Sequence, residues 1–116
     1  MIDWRADIWA AALAGARAAL HQSVEDLWQT LRAGKPLIPR QLALNRAAAV
    51  HAAETGASVA RTAHVHSGGS SIYASSSFQR HMRDAEAILH HFTVAPHVWE
   101  DAGRVLLGRQ PTAPLF

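Results

Sequence analysis

Gly68-Gly69-Ser70-Ser71-Ile72-Tyr73-Ala74-Ser75-Ser76-Ser77-Phe78-Gln79-Arg80-His81-Met82-Arg83-Asp84-Ala85 is the stretch whose reading decides the fold. The paired glycines end whatever helix precedes them, because glycine gives up the most backbone freedom on being ordered. By composition the serines after them resemble a flexible linker. Ile72 and Tyr73 in the middle argue for a packed loop instead. Ser76 is placed to cap a helix, and Gln79 stands three residues on, as a capping box requires. From there Phe78, Met82, Ala85, Leu89 and Phe92 recur at intervals of four and three. That period puts them on one stripe of a helix running to about Phe92. Arg80, Asp84, Ala87 and His91 form a second stripe, and Asp84 lies one turn beyond Arg80, where an ion pair is expected.

Upstream, the chain reads as two longer helices. The first spans about Asp3 to Ala33, with Trp9, Leu13, Ala16, Leu20, Val24, Leu27 and Leu31 on its apolar stripe. Gly34 suits the residue just past its end, and Pro36 cannot continue it. At about 1.5 Å per residue this helix is roughly 45 Å long, so it needs long partners. The second starts near Pro39, since proline at the first helical position loses no hydrogen bond, and runs to about His66. Its stripe is Leu42, Ala49, Ala52, Ala53, Gly56, Ala60 and Ala63. Such small side chains admit close neighbours and mark it as the central helix.

Downstream, a fourth helix begins near Pro96, with Thr93 as one possible cap, and carries Val98, Trp99, Ala102, Val105 and Leu106 up to Gly108. Pro111 and Pro114 make 109–116 an irregular tail, so residues 1–108 form the bundle domain. The fold class is all-α, an up-and-down helical bundle. Its wide apolar stripes carry Trp4, Trp9, Trp28 and Trp99 and exceed what one small chain covers. Completion of the bundle by a homo-oligomer, a dimer or a tetramer, is therefore expected.

Composition narrows the function. The 116 residues make one domain. Alanine dominates the hydrophobic 49% and favours helix, whereas β-branched residues are sparse. Eleven Lys and Arg against nine Asp and Glu give a net charge of +2, spread without a basic block, so no nucleic-acid partner is expected. With no cysteine, disulfides, thiolate metal sites and cysteine nucleophiles are excluded. The N-terminus lacks the pattern of a secretion signal, and no apolar run is long enough for a membrane span. A cytoplasmic location is the expectation.

Eight histidines invite a metal reading. His64 and His66 are two apart, which splits them between helix faces, and no His-x-x-x-His pair with a supporting carboxylate exists. No metal site is expected. The serine loop lacks Gly-x-Ser-x-Gly, so it holds no nucleophile elbow, and its glycines do not spell a phosphate-binding motif. Its exposed N–H and hydroxyl groups beside Arg80 still suit an anionic group such as a cofactor phosphate.

The Gly68-Gly69 turn leading after a fixed gap into Arg80-x-x-Arg83-Asp84-Ala85 resembles the acyl-CoA dehydrogenase superfamily. Gly103, Gly108 and the proline-containing tail resemble the close of those proteins. The resemblance is strong from about Ala63 to Phe116 and extends upstream only as helical pattern. It implies the C-terminal helical domain of a flavin-dependent oxidoreductase. Common acyl-CoA dehydrogenases carry Tyr-Glu-Gly shortly after this helix start, with the glutamate as base. Here His91, Phe92 and Thr93 stand in the corresponding place, and a phenylalanine abstracts no proton. A histidine at this position resembles the flavin-dependent monooxygenase branch. The resemblance therefore implies His91 as the catalytic residue, since imidazole gives or takes a proton near neutrality. It implies Gly68, Gly69 and Ser71 as cofactor-binding residues, FMN or FAD as cofactor, and a separate flavin reductase as a possible partner. Val65 stands where the family commonly has a glutamine.

Members of that family are about three times this length. Their N-terminal helical domain, middle β-domain and one helix of the C-terminal bundle have no counterpart in these residues. The isolated chain is accordingly expected to be inactive. The alternative is a stand-alone helical oligomerisation or interaction protein without catalysis.

Overall fold

The structure, a computed structural model, describes residues 4–66 and 77–113. The Gly68-Gly69-Ser71 turn, Tyr73 and the Ser76 cap lie outside the described residues. The order is α1 Trp4–Arg32, α2 Pro39–His66, α3 Ser77–Ile88 and α4 His97–Leu106, with no strand among the described residues. The molecule measures 52 × 28 × 24 Å, its long axis matching the two long helices.

Local signals set most helix ends. Gly34, at φ 71°, closes α1. Its N–H donates to the Leu31 carbonyl and that of Lys35 to Thr30, which is the Schellman arrangement. Gly108, at φ 76°, repeats it after α4, with bonds from Gly108 to Val105 and from Arg109 to Arg104. At the start of α2, Pro39 takes the first helical position. The Gln41 side chain accepts the Ile38 N–H (3.0 Å), one half of a capping box. The amide of Gln41 also donates to Asp26 (2.9 Å) and Thr30 (2.8 Å). With Asn45 donating to Ser23 (3.1 Å), these bonds fasten α1 and α2 into a hairpin.

As expected, α2 is central and packs against each of the other three helices. Its buried line is Ala43, Val50 and Ala57, one residue on from the line through Leu42, Ala49, Gly56 and Ala63 read from the sequence. A helix so rich in alanine is weakly amphipathic, so several neighbouring lines fit the pattern equally. Indole Nε1–H of Trp99 donates to Glu54 (3.0 Å) and ties α4 to α2, while Arg61 pairs with Glu86 and ties α2 to α3.

Two expectations need correction. First, α3 stops at Ile88 and not near Phe92, so Phe92 leaves the core stripe and is 62% exposed. Second, Arg80 and Asp84 form no ion pair. The ion pairs found among the described residues are Arg61–Glu86 and Arg104–Glu100. An exposed pair one turn apart gains only about 0.3–0.5 kcal/mol, too little to hold two solvated side chains together. The wide stripe of α1 is only partly covered within the described residues. Ala16 is buried and Trp9, Leu20 and Leu27 are half-buried, but Leu13, Val24 and Leu31 are exposed. Trp28, at 56% exposure, extends that uncovered face.

Candidate functional site

Between α3 and α4 the chain turns a corner over residues 89–96. Successive N–H groups of Leu89, His90 and His91 bond to carbonyls three residues back, tightening the end of α3. Val94 N–H then bonds to the His91 carbonyl, and Pro96 fixes the start of α4. Thr93 caps nothing. No side-chain cap serves α4, and Thr93 turns to His91 instead.

That contact defines the imidazole. Thr93 Oγ1 lies 2.7 Å from His91 Nδ1, and the Thr93 backbone N–H donates to the same nitrogen at 3.3 Å. A nitrogen that accepts an amide N–H carries no proton, so the neutral ring is protonated at Nε2. The ring also stacks on Phe92, with centroids 4.8 Å apart and planes at 28°. His91 is exposed. One nitrogen is thus held by the chain, while the other, which can give or take a proton, is free to meet whatever covers the corner.

Beneath the corner lies a cavity of about 60 Å³ lined by Arg46, Phe92, Thr93, His97, Val98, Asp101 and Ala113. Asp101 was not foreseen from the sequence. It is 1% exposed, and its carboxylate accepts the Thr112 N–H (2.7 Å), the Thr112 hydroxyl (2.8 Å) and the Ala113 N–H (3.0 Å). These bonds pin residues 112 and 113 to α4. A signal did exist: Val98, Asp101, Ala102 and Val105 share one helical stripe, and a lone carboxylate on an apolar stripe needs a partner.

The Thr112 amide holds the Asp101 carboxyl below its ordinary range. Burial pushes it up but is outweighed once the Thr112 hydroxyl, the Ala113 amide and the Arg104 charge are added. Because the folded pKa is the lower one, the unfolded chain binds more protons as pH falls. The stabilisation is complete above the unfolded carboxyl value of about 3.9 and is lost as pH drops through the folded one. Thermal melts of Asp101→Asn against the parent, from neutral to acid pH, are expected to show a deficit at neutrality that shrinks in that acid window. A deficit independent of pH would contradict this assignment.

The other expected site residues, Gly68, Gly69 and Ser71, lie outside the described residues. His64 and His66 sit in the last turn of α2, and among the described residues no three His, Asp or Glu side chains converge as metal ligands. A wider groove of about 470 Å³ runs along α1 and α2 to Trp99 and holds none of the expected site residues. No helix of the described residues is long and apolar enough to cross a membrane.

Comparison with known proteins bears on the family of the chain. The family model described as the acyl-CoA dehydrogenase C-terminal domain matches residues 6–96. The match starts within α1, well upstream of the stretch that carried the resemblance, and ends just before α4. The chain is 36% identical over 101 residues to the indole-3-acetate monooxygenase of Pseudomonas putida, covering 87% of this chain and 26% of that protein. It is 27% identical over 96 residues to the protein of the same name from Acinetobacter baumannii, covering 83% and 25%. The chain therefore spans about a quarter of the length of the curated relatives it matches. No solved structure shows a significant match. An all-helical chain that matches this model over most of its length, and whose similar relatives are monooxygenases, belongs to the acyl-CoA dehydrogenase C-terminal domain family.

Proposed function

We propose that this chain serves as the C-terminal bundle of a flavin-dependent monooxygenase-like oxidoreductase, contributing one wall of a flavin site and a surface for assembly. The observation that carries the reading is the exposed His91 imidazole, which the backbone and hydroxyl of Thr93 hold at Nδ1. The similarity to two indole-3-acetate monooxygenases supports the branch.

The residues present fit a flavin as a partial site. The cavity under the corner is far too small for a three-ring system, whereas the exposed imidazole and its stacked phenyl ring offer an open face. FMN or FAD, when bound, supplies the redox chemistry with oxygen. Gly68, Gly69 and Ser71 would hold its phosphate portion, since backbone N–H and hydroxyl groups suit an anion. His91 orients the reacting group and moves a proton through Nε2. Phe92, which holds no titratable group, keeps a second base away from that place. A separate flavin reductase is the partner this branch implies, and an indole-type aromatic acid is the substrate class to test first. The uncovered apolar face of α1 joins copies of the chain into a dimer or tetramer.

Because the wall is only part of a site, the isolated chain binds flavin weakly or not at all. Titrating FMN and FAD against the chain while following flavin absorbance and fluorescence tests this. Tight stoichiometric binding would contradict it. A second reading, a stand-alone helical interaction protein, draws on the same uncovered face of α1. It predicts self-association with no dependence of any activity on His91.

A further inference from the structure

The C-terminal tail is held by one buried carboxylate, and the position of that carboxylate suggests a purpose beyond anchoring. We infer that Asp101 is a positioning residue for His91, acting through the tail: by gripping Thr112 and Ala113 it sets the wall against which Thr93, and with it the imidazole, is placed. The inference rests on the flavin-site reading only for the task His91 performs.

The geometry runs in four steps. Gly108 reverses the chain after α4 through its Schellman turn, so the tail folds back along the helix it has just left. Two consecutive backbone N–H groups and one hydroxyl of that tail converge on Asp101. Consecutive amides of this kind form a small anion-binding nest. Ala113, one of those two donors, lines the cavity beneath the corner, and so do Phe92 and Thr93 on its other side. Thr93 in turn makes both polar contacts to His91 Nδ1.

A carboxylate is an unfavourable way merely to glue a tail to a helix. Burying it carries a desolvation cost that its hydrogen bonds must recover, and an apolar side chain at the same place on the stripe would avoid that cost. What the carboxylate adds is direction, because its bonds fix the register of residues 112 and 113 relative to α4. The groups around it belong to two helices. Arg104 and His97 come from α4, and Arg46, which lines the same cavity, from α2.

The test is read on the chain itself and needs no flavin, so its failure is distinct from failure of the flavin reading. In the parent, long-range nitrogen-15 correlations at a pH where imidazoles are neutral are expected to show His91 protonated at Nε2 alone. In Asp101→Asn the 112–113 amides are expected to exchange roughly tenfold faster or more, as charged hydrogen bonds are lost. The inference further predicts faster exchange at the Thr93 amide and a mixture of both ring tautomers at His91, with α1 and the first half of α2 unchanged. Thr112→Pro removes both donors to one oxygen without altering α4 and is expected to give the same pattern, so it decides the matter if Asp101→Asn does not fold. A released tail with the Thr93 amide and the His91 tautomer as in the parent would overturn the inference and leave Asp101 a tail anchor only.

Discussion

Replacing both Trp28 and Leu31 by glutamate is expected to convert an associated species into a monomer. The two side chains stand on one face of α1 and are 56% and 54% exposed in the single chain. Val24, 50% exposed, extends the same face. Among the described residues α1 packs mainly against α2, which leaves these side chains largely uncovered. Burying the exposed half of each side chain on association contributes about 3–5 kcal/mol per dimer, or on the order of 10²–10⁴-fold in Kd. Carboxylates in the same place add a desolvation cost without a partner. Sedimentation velocity over a concentration series would measure the shift. Both side chains are about half exposed in the single chain, so the helical circular dichroism signal should be kept. A double variant that associates like the parent would remove α1 from the assembly surface.

Val50→Asp is expected to unfold the chain. Val50 is 0% exposed, midway along the buried line of α2 that also carries Ala43 and Ala57. An uncompensated charge placed there costs about 3–5 kcal/mol. Small domains are stable by only about 5–15 kcal/mol in all, and this one packs three helices against a single central one. Loss of the helical circular dichroism signal, or of the cooperative melt, is the expected reading. Val65→Ser, near the end of the same helix at 68% exposure, is the control and should lie within about 0.5 kcal/mol of the parent. Equal tolerance of both changes would mean that α2 is not the core.

These two results separate what the sequence made legible from what it did not. The start of α2 was plain, because Pro39 punctuates the chain in a way no packing choice can undo. Gly34 and Gly108 marked the ends of α1 and α4 for the same reason: each adopts a positive φ that other residues resist. Register was harder. In an alanine-rich helix the difference between the line through Gly56 and that through Ala57 depends on the neighbours, which the local pattern does not contain.

The corner at 89–96 was misread because nothing in His90-His91-Phe92-Thr93 stops a helix on its own. The stripe Phe78, Met82, Ala85 and Leu89 continued by period into Phe92, yet the chain tightened after Ile88 and exposed it. His91 was singled out by resemblance, but its holder Thr93 was read as a cap. A bond between side chains two residues apart forms only once the helix has ended. Asp101 was legible in principle, as the one carboxylate on the stripe of Val98, Ala102 and Val105. Its partners lie eleven and twelve residues on, beyond the reach of any helical period.

The most direct test of the central claim is the rate of indole-3-acetate oxygenation by a chimera in which this chain replaces the matching segment of the Pseudomonas putida relative, measured with and without His91→Ala. The account predicts a working chimera whose kcat falls by about 10²–10⁴-fold in the variant, with the helical signal unchanged. A variant that turns over as fast as its parent chimera would contradict the claim that the imidazole held by Thr93 handles the proton of the reaction.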